Sequence, residues 1–172
     1  MEEINDQQRA LIADLQTQVA TLQAMALPEN SPEKGKAKAI GDLSPTQRAV
    51  LWVDDNPKNN SFIVQMLRDR GINVDIELST DGGMQRFRSG RYGIIVSDMG
   101  REESGRYYPD AGIELLKKVR ERDQSIAFVI YCSAKKAHDY RDQAFQYGAT
   151  DITSSPTGVS AAVLRKLDIL EA

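Results

Sequence analysis

Asp54, Asp55, Asp98 and Ser133 are the residues whose types and positions point to chemistry. Each stands directly after, or within one residue of, an apolar run that reads as a buried strand: AVLWV before Asp54 and Asp55, GIIVS before Asp98, IAFVIY before Cys132 and Ser133. A shorter strand, Asp151 to Thr153, leads into Ser154 and Ser155. In open parallel sheets, ligands bind beyond the carboxyl ends of the strands, where the direction of winding reverses. Three carboxylates meeting there repel one another, and the arrangement is costly unless a hard divalent cation such as Mg2+ sits between them. With the cation bound, Asp98 can attack a phosphoryl group as a nucleophile while the metal neutralises charge on the transferring oxygens. Ser133 then stands where its hydroxyl could donate to one of those oxygens.

The elements that must position these groups alternate in type. After the strand at Ala49–Val53, Asn60 to Arg70 reads as a helix closed by Gly71, and Ile72 to Leu78 as a second strand. Thr80 to Ser89 suits a helix, Gly93 to Ser97 a strand, and Met99 to Pro109 a loop. Ala111 to Arg122 is helical, with Ile113, Leu115, Leu116 and Val119 available to pack. Ile126 to Tyr131 is the fourth strand, Ala137 to Tyr147 a helix ended by Gly148, Asp151 to Thr153 the fifth strand. Val159 to Ile169 is the last helix, with Val163, Leu164, Leu167 and Leu170 on its apolar face. Parallel strands need helical crossovers, so this alternation predicts a flavodoxin-like (βα)5 fold, a doubly wound parallel sheet with helices on both sides.

Ahead of this domain, residues 1–26 contain neither Gly nor Pro and favour a helix. Ile12, Val19 and Ala26 fall on one core position of a heptad and Leu15 and Leu22 on the other, while the earlier core sites carry Asn5 and Gln8. This short seam suits a coiled coil that pairs the chain with itself or another protein. Residues 27–47 combine prolines, glycines and alternating charges and read as a flexible linker, which leaves 48–172 as the folded domain. Composition narrows the function classes. With 22 basic and 25 acidic residues, the net charge of -3 gives no field that would draw nucleic acid. Cys132 is the only cysteine and His138 the only histidine, so a metal site must rely on oxygen ligands. The acidic start lacks a basic n-region, and no run approaches the roughly 20 apolar residues of a membrane span, so a cytoplasmic protein is expected, with no membrane partner.

The segments VLWVDDNP, IIVSDMG, AGIELLKKVR, VIYCSA and GATDITSSP together resemble the receiver domain of two-component response regulators over about residues 48–171. The resemblance implies that Asp98 is the phosphoacceptor and Ser133 the switch hydroxyl. It also implies that Asp54, Asp55, Asp98 and the main-chain carbonyl of Gly100 hold Mg2+. The partners implied are a histidine kinase or other phosphodonor protein and a downstream protein. Three departures accompany it. Ser155 stands before Pro156 where receivers carry a lysine, so the cation that contacts phosphoacceptor and phosphoryl group is absent there. The 99–109 loop is longer than the usual turn and brings Arg101 and Arg106, which with Lys135 and Lys136 are candidate substitutes for that charge. Ile152 occupies the place of a switching aromatic.

The expectation is a stand-alone atypical receiver, not an enzyme, acting in a phosphorelay with output through protein contacts. Its rivals are a phosphorylation-independent pseudo-receiver scaffold and, more remotely, a TIR-like nucleotide-cleaving enzyme. The latter would want a catalytic glutamate where the sequence offers aspartates and hydroxyls. Trp52 is expected in the core, Cys132 at a buried strand end, and Tyr107 and Tyr108 on the surface of the loop, where they could anchor a partner.

Overall fold

The computed structural model describes residues 6–25 and 48–167, which fall in two separate units, 1–42 and 43–172. In the first unit α1 (Asp6–Met25) is a single helix, as its freedom from Gly and Pro predicts, and Ile12 on the proposed seam is exposed. The linker at 27–47 lies outside the described residues, as do Ile169 and Leu170 of the last helix. Among the described residues no helix is long and apolar enough to cross a membrane.

The second unit is built on a five-stranded parallel sheet. Its strands are β1 (Ala49–Val53), β2 (Asn73–Glu77), β3 (Ile94–Ser97), β6 (Ala127–Tyr131) and β7 (Asp151–Thr153), in the order β2-β1-β3-β6-β7. The remaining strands, β4 (Arg101–Glu103) and β5 (Arg106–Tyr108), form a separate antiparallel hairpin. The helices are α2 (Ser61–Asp69), α3 (Thr80–Ser89), α4 (Ala111–Arg120), α5 (Ala134–Asp139), α6 (Arg141–Gln146) and α7 (Pro156–Lys166), with a 3₁₀ turn at Pro57–Asn60 ahead of α2.

β1 and β3 are buried along their whole length because helices cover both faces of the sheet. Side chains alternate between faces along each strand. Val50, Trp52, Ile94, Val96 and Val129 pack on one side against Ile63 and Leu67 of α2 and Val159 and Val163 of α7. Leu51, Val53, Ile95, Phe128 and Ile130 pack on the other against Met84 of α3, Leu115, Leu116 and Val119 of α4 and Ala144 of α6. Each large apolar side chain so buried contributes about 1.5–3 kcal/mol. Trp52 is a core residue as expected, with its ring edge-on to Tyr131 at 6.4 Å.

Two expectations need correction. The helix read at Ala137 to Tyr147 is two short helices that meet at Tyr140, whose backbone (φ -103°, ψ 2°) leaves the α-helical region. It also begins earlier, because Ser133 caps it by accepting a hydrogen bond from the Lys136 N–H at 3.3 Å. The segment read as a loop at 99–109 contains the β4–β5 hairpin. Its two turn residues, Ser104 (φ 52°) and Gly105 (φ 77°), both take left-handed conformations. That is the geometry of the tight turn whose twist matches two antiparallel strands. The charged strands REE and RYY lack the β-branched residues that usually announce a strand, so periodicity did not reveal them.

Candidate phosphoacceptor and metal site

Strands β1 and β3 are neighbours, and each delivers acidic residues from its carboxyl end. The Asp98 N–H bonds the Val53 carbonyl at 3.0 Å, which carries the pairing one residue past β3 and sets Asp98 beside Asp54 and Asp55. Carboxylate oxygens of Asp54, Asp55 and Asp98 lie within 4.8 Å of one another. Asp54 is buried, and the sequence after it explains its fixed position: Asp54 accepts from the N–H of Asn56, which precedes the Pro57–Asn60 turn, at 2.8 Å and from the side-chain amide of Asn60, which ends it, at 2.7 Å. Asp55 accepts from the Glu102 N–H of the hairpin at 2.8 Å.

The hairpin reaches the site chiefly through Arg101. Its side chain is 0% exposed, which for an arginine requires paired charge and full hydrogen bonding. Nη1 lies 2.7 Å from Asp98 Oδ1 and donates to Ser97 Oγ at 2.9 Å. Nη2 donates to Thr80 Oγ1 at 2.9 Å and to the Ala111 carbonyl at 3.1 Å, and Nε to Glu103 Oε1 at 3.0 Å. A guanidinium has five N–H donors, and these five acceptors occupy them all. Glu103 completes the network by accepting from the Thr80 N–H at 2.6 Å and hydroxyl at 2.8 Å, at the first turn of α3, where a carboxylate meets unpaired backbone N–H groups. Burial pushes Glu103 up, but its bonds to Thr80 and Arg101 outweigh that and hold it below its ordinary value.

Asp98 behaves differently. Burial pushes its carboxyl up to about 8, and the charges of Asp54 and Asp55 add to the shift, against the pull of Arg101. The nearby guanidinium divides its field between Asp98 and Glu103 and does not neutralise the cluster. A site built wholly of oxygen donors and still carrying surplus negative charge fits a hard divalent cation. Each carboxylate offers about four lone-pair positions, more than the hydrogen bonds described occupy. The residues present therefore suit Mg2+.

α4 approaches so closely that only glycine fits at its second residue. A Cβ on Gly112 would fall inside the van der Waals sphere of the Asp98 carbonyl oxygen and lie 3.1 Å from Met99 Cα. The Gly112 N–H bonds the Met99 carbonyl at 2.8 Å and so fixes the chain just past Asp98.

The remaining candidates separate into near and far. Ser133 is exposed at the head of α5, beyond the carboxyl end of β6. Gly100 lies just past Asp98, under Tyr107 and Lys136: a Cβ there would run into the Tyr107 hydroxyl and the Lys136 ammonium. Lys136 donates to the Tyr107 hydroxyl at 2.6 Å. Burial pushes the Cys132 thiol up to about 11; Lys136 opposes that shift and Asp98 adds to it, so both charges act at this end of β6. Cys132 is half-buried, not fully enclosed. Two of the four proposed substitute cations are elsewhere. Arg106 is exposed and stacks 5.4 Å from the Tyr108 ring centre, and Lys135 pairs with Asp139 at 2.7 Å on the outer face of α5. Ser155 caps α7 through the Gly158 N–H at 3.1 Å, a role a lysine there would not fill.

Sequence reasoning missed Asn60, Thr80 and Glu103. Thr80 was within reach of the rule already used, since it follows the second strand as Asp54 and Asp98 follow the first and third. Glu103 gave no signal, because its role depends on a hairpin that periodicity did not reveal.

A search of curated protein sequences finds no significant match. Solved structures with similar folds include a response regulator receiver domain protein from Clostridium thermocellum, at 17% identity and a TM-score of 0.59 over 70% of this chain and 94% of that one. The chemotaxis response regulator CheY4 of Vibrio cholerae is 19% identical, with a TM-score of 0.58 over 70% of this chain and 99% of that one. The receiver domain of the Francisella response regulator 1452 is 21% identical, with a TM-score of 0.59 over 72% of this chain and 98% of that one. At such identities the likeness speaks for the fold. The model of the response regulator receiver domain matches residues 50–164, well over half of the 172 residues, and the chain belongs to that family.

Proposed function

We propose that this receiver accepts a phosphoryl group on Asp98 in a phosphorelay and passes the signal on through protein contacts. The observation that carries this reading is the cluster of Asp54, Asp55 and Asp98 within 4.8 Å at the carboxyl ends of the paired strands β1 and β3. Asp54, Asp55, Asp98 and the Gly100 carbonyl are the groups that would hold Mg2+, whose charge favours the ionised, nucleophilic form of Asp98 and offsets negative charge on a phosphoryl group. Asn56, Asn60 and the Glu102 N–H orient the first two carboxylates, and Arg101 orients the third. A histidine kinase or another phosphodonor protein is the expected source of the phosphoryl group.

One observation favours a second reading, a receiver that works without phosphorylation. Arg101 is sealed and its donors are all engaged, so it steadies the free carboxylate of Asp98 without reaching a phosphoryl oxygen. Intact-mass spectrometry after incubation with acetyl phosphate and Mg2+ separates the two readings. A single phosphoryl adduct is expected on the native chain and none on Asp98→Ala; a native chain that binds Mg2+ yet gains no mass leaves the second reading in place.

The N-terminal helix is the proposed means of assembly. Light scattering over a concentration series of the full chain should give a dimer mass that falls towards the monomer on dilution, and Leu15→Asp with Leu22→Asp should give the monomer throughout. A monomeric mass at every concentration would remove self-pairing from the proposal.

A further inference from the structure

We infer that Lys136 is the cation that contacts the phosphoryl group in this receiver, in place of the lysine that Ser155 displaces. The inference rests on the reading of Asp98 as phosphoacceptor and adds to it the residue that faces the incoming group.

A transferring phosphoryl group needs a positive group with donors to spare on its open side. Arg101 fails both conditions, since its side chain is 0% exposed and its five N–H groups are taken by Glu103, Ser97, Asp98, Thr80 and Ala111. Its Nη1 holds Asp98 Oδ1 at 2.7 Å. Arg106 and Lys135 point away, towards Tyr108 and Asp139. Lys136 is placed differently. It lies on the first turn of α5, and its backbone N–H is the group that the capping Ser133 hydroxyl accepts from at 3.3 Å. The start of α5 thus carries both the Ser133 hydroxyl and Lys136.

The ammonium is held close to the site. It donates to the Tyr107 hydroxyl at 2.6 Å, lies 5.4 Å from the Tyr107 ring centre, and together with that hydroxyl occupies the space over Gly100 Cα, two residues beyond Asp98. An ammonium carries three N–H groups, so the bond to Tyr107 leaves capacity for a phosphoryl oxygen. In the step itself, an Asp98 carboxylate oxygen forms a bond to phosphorus as the bond from phosphorus to the acetyl oxygen of acetyl phosphate breaks. Acetate leaves with the electron pair, and no proton need move. Lys136 offsets the charge on the phosphoryl oxygens throughout.

The test is the rate of labelling of the full chain by acetyl phosphate with Mg2+, read by intact mass, for the native protein, Lys136→Gln, Lys136→Arg and Lys135→Gln. Removing a preorganised donor to developing charge commonly slows a reaction by about a hundredfold or more. Here at least a tenfold slowing is expected for Lys136→Gln, partial recovery for Lys136→Arg and the native rate for Lys135→Gln. Trp52 fluorescence in a Mg2+ titration supplies a readout apart from labelling, and its midpoint should be the same in Lys136→Gln as in the native chain. Labelling of Lys136→Gln at the native rate would overturn this inference and leave Asp98 as phosphoacceptor. Slow labelling with a lost Mg2+ midpoint would also overturn it, because Lys136 would then be supporting the metal site. A native chain that takes no label overturns both this inference and the reading beneath it.

Discussion

Arg101→Met is expected to lower folding stability by about 3–5 kcal/mol, the cost of breaking a buried ion pair by removing one partner. The reason lies in what remains. Asp98 and Glu103 would keep carboxylates in a largely enclosed seam with no guanidinium between them, and Ser97, Thr80 and the Ala111 carbonyl would each lose a partner. An unmet buried polar group costs about 1–3 kcal/mol by itself. A domain of this size is stable by only about 5–15 kcal/mol, so the loss is large enough to leave a measurable unfolded fraction. Urea unfolding followed by circular dichroism is the measurement, and a change below 1 kcal/mol would mean that the network does not hold the hairpin in place. Arg101→Met combined with Glu103→Leu should recover part of the loss, because removing both partners leaves fewer unmet charges. Arg101→Lys keeps the charge but not the planar fork that reaches five acceptors at once, and should fall between the native chain and Arg101→Met.

The second large effect is expected at Gly112. A Cβ there meets the Asp98 carbonyl oxygen and Met99 Cα, both backbone atoms, so no side-chain rotation can relieve the overlap. The start of α4 must retreat, and with it the Ala111 carbonyl that accepts from Arg101 and the Gly112 N–H that binds the Met99 carbonyl. Overpacking costs about 1–3 kcal/mol, and more where backbone must shift, while alanine regains up to about 1 kcal/mol over glycine in a helix. Gly112→Ala should therefore lose about 2 kcal/mol in urea unfolding and slow labelling of Asp98, since Met99 is the next residue in the chain. Native stability and native labelling in this variant would show that α4 can shift without moving the site.

The different burial of two arginines on one hairpin shows where sequence stops being informative. Arg101 and Arg106 are both charged residues in a segment without apolar periodicity, and nothing in their types separates them. In the folded chain Arg101 is sealed between the ends of β1 and β3 and the starts of α3 and α4, while Arg106 stands in solvent beside Tyr108. Strand alternation does not separate them, because Arg106 pairs with Glu103 and so shares the face of Arg101 and Glu103; what differs is their place along the hairpin, Arg101 three residues past Asp98 at its base and Arg106 just past the Ser104–Gly105 turn. The same holds for Lys135 and Lys136. They are neighbours in sequence, but successive residues on a helix point about 100° apart, so one pairs with Asp139 and the other reaches Tyr107.

The sheet was legible throughout. AVLWV, GIIVS and IAFVIY are apolar runs of strand length, and burial on both faces is the condition that makes such runs continuous instead of alternating. Because ligand groups in this architecture follow the strands, Asp54, Asp55 and Asp98 are legible as a cluster in the sequence, and the register of β1 against β3 brings them together. These features follow from hydrophobic period and chain order, which a sequence states directly. The buried ion network, the closeness of α4 at Gly112 and the Lys136–Tyr107 pair over Gly100 do not. They join residues from separate elements through polar contacts that have no period, and only the packing of those elements determines which charge is sealed and which stays free to act.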